Sequence, residues 1–337
     1  MSRTRTRMSL PGIVAVLALL AGCAIPLPAV EADPEPEVPA PALDQARLDR
    51  VLASIGETIA AGDQAQDSTL LEQRLTGSAL LTRTAEYALS VATADTDAAR
   101  TPQVLTTQSQ LAVVSATPDW PKVIFVYTTI ADGLNTPLLL GLTQADPRAN
   151  YQLFSWVRLL PGATTPETAV PGDGSPIVAA DAPGLVLSPT DAIAGYANVL
   201  SQGLRSEHID SFAPDAFREL IWEHNAVNTD GVEDAGGYKD TFVAVDEAPI
   251  SLGTADGGAV VIGNLLSHQL YERTIEDSEL TVGGQIAALA GSEVLDVADS
   301  VTATYYTTVA LYVPPAAEGA TIQVLGAERV LQTVTGE

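Results

Sequence analysis

One pattern constrains this chain more than any other: an apolar helical stripe followed by a run of strands, met twice along the sequence. Leu48, Val51, Leu52, Ile55 and Ile59 fall at i, i+3, i+4, i+7 and i+11, the spacing of one buried helix face. Ile193, Tyr196, Ala197, Leu200 and Leu204 repeat that spacing, after a Ser188-Pro189-Thr190-Asp191 helix start. A second helix follows each stripe, so helices are expected near 46–61 and 78–90, and near 189–204 and 214–225. Strand-like runs come next in each half. In the first they are Val123–Tyr127, Leu138–Leu140 and Tyr151–Leu159. In the second, Leu252–Ile262 turns about Asp256-Gly257-Gly258, Val301–Val313 alternates over a long strand, and shorter strands are expected at 321–325 and 329–334. Helices first and strands after is α+β order, and its recurrence predicts two tandem helix-plus-antiparallel-sheet rolls, at 43–165 and 188–337. The five prolines of 161–183 make 166–187 the expected linker.

The N-terminus reads as an address. Arg3, Arg5 and Arg7 precede an apolar run that is densest from Ile13 to Leu20 and ends in Leu20-Ala21-Gly22-Cys23. A charged head, a short apolar run and small residues before a cleavage point make a secretory signal over residues 1–22. An uncleaved membrane helix over Met8–Val30 is the rival, but Pro11, Pro26 and Pro28 interrupt it. A buried free thiol is the other reading of Cys23. Residues 24–42 hold six prolines and four acids, the composition of an extended stalk of up to roughly 60 Å at about 3.1 Å per residue.

Leu20-Ala21-Gly22-Cys23 resembles the lipobox of bacterial lipoproteins residue for residue, and Cys23 is the only cysteine in the chain. The resemblance implies cleavage between Gly22 and Cys23, acylation of Cys23 by diacylglycerol and palmitate-type chains, and anchoring at the extracytoplasmic face of the cell membrane. Two or more acyl chains suffice for stable anchoring.

Charge and composition narrow the functional classes. Forty-two acids against sixteen Lys and Arg give −26, and loss of residues 1–22 would take this to −29. Such a surface repels phosphate backbones, so no nucleic-acid partner is expected. Only Lys122 and Lys239 are lysines, which, with abundant Ala, Asp and Val, resembles the proteins of GC-rich genomes such as those of actinobacteria.

Candidate chemistry is sparse. His208, His224 and His268 show no metal-ligand spacing, and no metal or cofactor is expected. Asn225–Gly237 superficially follows a calcium loop but fails at both ends, where Ala226 and Gly237 occupy ligand positions, so it is expected to be a solvated turn. No nucleophile, P-loop or dinucleotide fingerprint is present, and no catalytic residue is assigned. Were the protein an enzyme, Asp215 and His224 would be the first residues to consider. The leading expectation is a non-enzymatic binding or scaffolding lipoprotein whose partners are the membrane, through Cys23, and an envelope protein. The alternative is a carrier holding a small apolar ligand inside one roll, among aromatics such as Trp120, Trp156, Trp222, Phe125, Phe154 and Tyr151.

The helix-then-strand order resembles the cystatin-like roll of nuclear transport factor two. More closely, Arg74-Leu-Thr-Gly77, Arg83 with Tyr87, Trp120-Pro121, Leu142-Thr-Gln144, Arg158-Leu-Leu-Pro-Gly162 and Asp256-Gly-Gly258 resemble an actinobacterial family of conserved lipoproteins of unknown function, over about residues 43–335. That resemblance implies no catalytic residue.

Overall fold

A computed structural model describes residues 42–169 and 173–336. Cys23, Gly22 and the expected stalk of 24–42 lie outside the described residues, apart from Ala42. The described residues form one compact unit.

The two helix pairs lie where the stripes place them, α1 (Gln45–Ala65) with α2 (Gly77–Thr93) and α3 (Pro189–Gln202) with α4 (Ala216–Val232), except that α3 stops at Gly203 and leaves Leu204, the last residue of its expected stripe, exposed beyond it. Asp44 caps α1 by accepting from the Arg47 N–H, and Ser188 caps α3 through the Asp191 N–H. α4 runs well beyond 225. Thr229 Oγ1 donates to the Asn225 carbonyl, Asn228 donates to the His224 carbonyl, and Val232 is buried at the end. Most of the supposed calcium loop or turn is therefore helix: tertiary packing of Ile221 and Val232 outweighs the poor helix propensity of Asn, Thr, Asp and Gly.

The strands are β1 (Ser109–Val114), β2 (Lys122–Thr128), β3 (Leu138–Gln144), β4 (Gln152–Leu159), β5 (Gly236–Ala244), β6 (Ile250–Gly253), β7 (Ala259–Arg273), β8 (Thr281–Val282), β9 (Leu295–Asp296), β10 (Ser300–Val313) and β11 (Gln323–Gly336), with a short α5 (Gly284–Leu289) between β8 and β9. The class is α+β, as the sequence indicates. The separate sheets expected of two rolls are not what forms. Nine strands share one antiparallel sheet in the order β1-β2-β3-β4-β11-β10-β7-β5, with β6 also on β7. The halves join at β4 and β11 through only two residue pairs, Gly326 with Leu159 and Ala327 with Arg158. A Cβ on Gly326 would lie 2.6 Å from the Arg158 carbonyl oxygen, so this approach requires glycine.

The expected linker closes the other side. Ser175 donates its N–H to Val114 O (2.8 Å) and accepts from Ala116 N (2.8 Å), while Val178 N donates to Ser251 O (3.1 Å) and Gly253 N to Pro176 O (2.9 Å). Residues 175–178 thus bridge the outer edges of β1 and β6, and the strands close into a ring. The reason is physical: two open edges with unpaired N–H and C=O groups find partners in the same extended segment.

Period-two alternation sorts the side chains about this ring. Val123, Phe125, Leu139 and Val157 point inward with Val260, Ile262, Ala310 and Leu325, and fill the interior. Ile124, Val126, Leu138 and Leu140 face outward against Leu48, Leu52 and Ile55 of α1. Val261, Val309, Leu311 and Val324 face outward on the other side, against Ile193, Tyr196 and Ile221 of α3 and α4. No helix among the described residues is long and apolar enough to cross a membrane.

Candidate functional site

Beyond Ala327, β11 runs on to Gly336 paired with β10 alone, because it parts from β4 after the Ala327–Arg158 pair although β4 extends back to Gln152. Along this free edge lies a cleft of about 390 Å³, walled by α2, α4, α5 and residues 100–103. Leu89, Phe217, Ile221, Val330 and Leu331 form its apolar wall; Glu86, Arg100, Gln103, Tyr305, Glu328 and Arg329 supply its polar groups. A larger concavity of about 940 Å³, between 92–98 and 283–294, is lined largely by small residues (Ala, Gly) with the exposed acids Asp95, Asp97 and Glu293 at it.

Two buried ion networks brace the cleft. In the first, Arg83, wholly buried in α2, donates to Glu86 (2.6 Å), to Asp63 of α1 (3.0 Å) and to the Gln103 carbonyl (2.8 Å). Tyr87 donates to the same Asp63 (2.6 Å), and Gln103 N–H donates to Glu86 (3.3 Å). Burial raises the Glu86 pKa, opposed chiefly by Arg83. In the second network Arg329 donates to Asp240 (3.3 Å) and Ser267 (2.7 Å) and lies 3.9 Å from the Tyr305 ring centroid. Ser267 and Gln269 also donate to Asp240. Here Arg329 Nε, Gln269 Oε1 and Thr307 Oγ1 are buried without a hydrogen-bond partner among the described residues.

Glu328 differs from all of these. Adjacent strand residues face opposite ways, so Glu328 leaves β11 on the face away from Arg329. Its carboxyl makes no hydrogen bond or ion pair to another side chain among the described residues. Thr308, directly across on β10, is already engaged, donating to Asn264 (3.0 Å). Burial, then the neighbouring Glu86 charge, push the Glu328 carboxyl up to about 7, against the pull of Arg158 and Arg83.

The residues singled out by sequence fall elsewhere or apart. Asp215 caps α4, accepting from the Arg218 N–H (2.9 Å) and the Tyr196 hydroxyl (2.9 Å). Burial raises its pKa, against those capping bonds. His224 lies nine residues on, about 13 Å along the helix axis, so the two do not meet. His224 does line the cleft; partial desolvation, then Arg329, lower its pKa. His208 sits 4.0 Å from Glu207, and His268 contacts Thr304 (3.2 Å) within the sheet. No cluster suited to a metal occurs among the described residues. Trp156 and Phe125 are core, whereas Tyr151, itself buried, joins the exposed Trp120 at an open concavity beside Arg47, Arg50 and Arg74. Glu86, Asp240, Glu328 and Arg329 carried no sequence signal: each is one charged residue in a strand or helix, with partners up to 89 positions away. Arg83, Tyr87 and Arg158 were marked only through the family resemblance.

Fold and cleft together define an α+β protein with a braced polar groove where its two halves meet. The chain belongs to a family whose members share a domain of unknown function, DUF8094, matched here over residues 39–335. No curated protein and no solved structure matches it.

Proposed function

We propose that this protein is a lipid-anchored extracytoplasmic binding protein, tethered through Cys23 on the stalk of residues 24–42, which holds a small ligand in the cleft beside β11 without transforming it. The anchor rests on the Leu20–Cys23 lipobox. The binding role rests on one observation: a cleft of about 390 Å³ presents a carboxyl, Glu328, that accepts from the Arg329 backbone N–H but has no side-chain partner among the described residues, beside an apolar wall. Asp215, the acid a catalytic reading would use, caps α4 with one oxygen, holds the other 3.7 Å from Arg218, and lies outside the cleft lining. An apolar cargo inside the strands is disfavoured, because that interior is already filled by Phe125, Leu139, Val157 and Ile262.

Two measurements test the reading. Cys23→Ser should leave an unprocessed precursor that takes up no labelled fatty acid; labelling equal to the parent would remove the anchor. Native mass spectrometry of the protein released from its own membranes should show one small molecule bound per chain. Leu220→Trp, at an exposed cleft-lining position, should displace it. A parent protein free of any bound molecule, or one whose ligand the tryptophan leaves in place, would remove the binding role.

A further inference from the structure

Resting on that binding reading, we infer that the cleft selects an organic cation: a protonated amine on a compact apolar body, with the ammonium seated on Glu328. The inference follows from how the guanidinium groups around the cleft are already hydrogen-bonded. Four guanidinium groups lie at or near it, and each has an acceptor. Arg83 is held by Glu86 and Asp63, Arg329 by Asp240, and Arg158 by the Gln103 side-chain oxygen (3.1 Å). Arg100 is held by Gln285, whose amide oxygen, turned toward it, accepts at 2.7 and 3.0 Å. No guanidinium hydrogen-bonds or ion-pairs with Glu328 among the described residues, though Arg158 and Arg83 stand near enough to pull its carboxyl down, and Thr308 opposite is spent on Asn264. A half-buried carboxyl facing a cavity with no side-chain partner is a group awaiting one.

A cation fits that vacancy better than an anion does. An incoming carboxylate would meet Glu86 and Glu328 together, and like charges in a desolvated site repel. An ammonium adds three donors, takes the place of the proton that Glu328 otherwise carries, and leaves the charge of the cleft unchanged. The chain's −26 also draws cations toward its surface. Leu89, Phe217, Ile221, Val330 and Leu331 would enclose the apolar body.

Because the ligand replaces a proton, binding depends on pH. The charged groups around Glu328 are Glu86 and Arg83 from α2 and Arg158 from β4, with the Arg329 N–H on its own strand; Arg100 and His224 stand on the other cleft walls. Below about 7 the carboxyl holds its proton, and cation affinity should fall by about tenfold per pH unit.

The experiment uses the full chain in lipid nanodiscs, with empty nanodiscs as blank. It compares benzylammonium, benzoate and benzyl alcohol by calorimetry and saturation-transfer NMR. Benzylammonium should bind at one site at least about tenfold more tightly than either analogue. Its affinity should fall with pH as described, and Glu328→Gln, verified as folded by its melting curve, should weaken it by about tenfold or more. Equal or tighter binding of benzoate or benzyl alcohol overturns the cation assignment while leaving the binding role intact. So does benzylammonium binding indifferent to both Glu328→Gln and pH. Failure of all three probes to bind overturns both.

Discussion

Gly326→Ala addresses the point where the two halves of the protein become one. The added Cβ would stand 2.6 Å from the Arg158 carbonyl oxygen and 2.9 Å from Val157 Cγ2. The obstacle is ladder backbone, so β11 and β4 must part by roughly half an ångström or more for ordinary contact. Overpacking of this kind costs about 1–3 kcal/mol. The junction has only two residue pairs and the Leu160 N–H to Leu325 O bond (2.9 Å), so losing one or two hydrogen bonds adds about 1 kcal/mol each. Replacing glycine restores about 0.4–1 kcal/mol through the unfolded chain. The net expectation is a loss of about 2–3 kcal/mol in equilibrium urea unfolding, with faster hydrogen exchange at the Leu160 amide. Gly231→Ala is the control: nothing lies within 4 Å of its added Cβ, and alanine in the last turn of α4 should stabilise by a fraction of the roughly 1 kcal/mol seen in helix interiors. A Gly326→Ala protein as stable as the parent, with an unchanged Leu160 amide, would refute the claim that this contact joins the halves.

Two further predictions concern charge and chain length. The Glu328 carboxyl is raised in the folded protein, from 4.5 to about 7, so the folded state holds its proton more tightly than the unfolded chain does. Its contribution therefore lowers stability as pH rises from about 4.5 to about 7 and is constant above that; Glu328→Gln should match the parent near pH 4.5 and exceed it at pH 8 by about 3 kcal/mol at most, read from paired denaturation curves. A variant no more stable than the parent at pH 8 would contradict the shift. A chain beginning at Pro41 should melt within a few degrees of one beginning at Cys23, because the first tertiary hydrogen bond of the described residues is Ala42 N to Ser115 O (3.1 Å); a larger drop would show that residues 24–40 stabilise the fold.

What the sequence revealed was what local periodicity encodes. The stripes of Leu48–Ile59 and Ile193–Leu200 place α1 and α3, and the alternation of Val301–Val313 places β10 almost to the residue. β11 was legible only as two fragments, because register shifts at Ala310/Leu311 and Thr304/Tyr305 break its alternation on either side of Gly326–Val330. The closure by residues 175–178 was hidden: a proline-rich stretch reads as linker, and its strand partners, Val114 and Ser251, lie far away in sequence. The cleft was hidden for the same reason. Its polar groups come from α2, α4, β10 and β11, and only the joining of the halves brings Glu86 to Glu328. His224 was marked as a candidate, yet with a partner, Asp215, that the helix keeps at a distance.

The most direct test of the cleft as the binding site is a ¹³C NMR titration of the Glu328 side-chain carboxyl, assigned by its loss in Glu328→Gln, with and without benzylammonium. The free protein should titrate with a midpoint near 7, and benzylammonium should move that midpoint down as the ammonium displaces the proton. A midpoint in the ordinary carboxylate range, unmoved by the cation, would contradict the account.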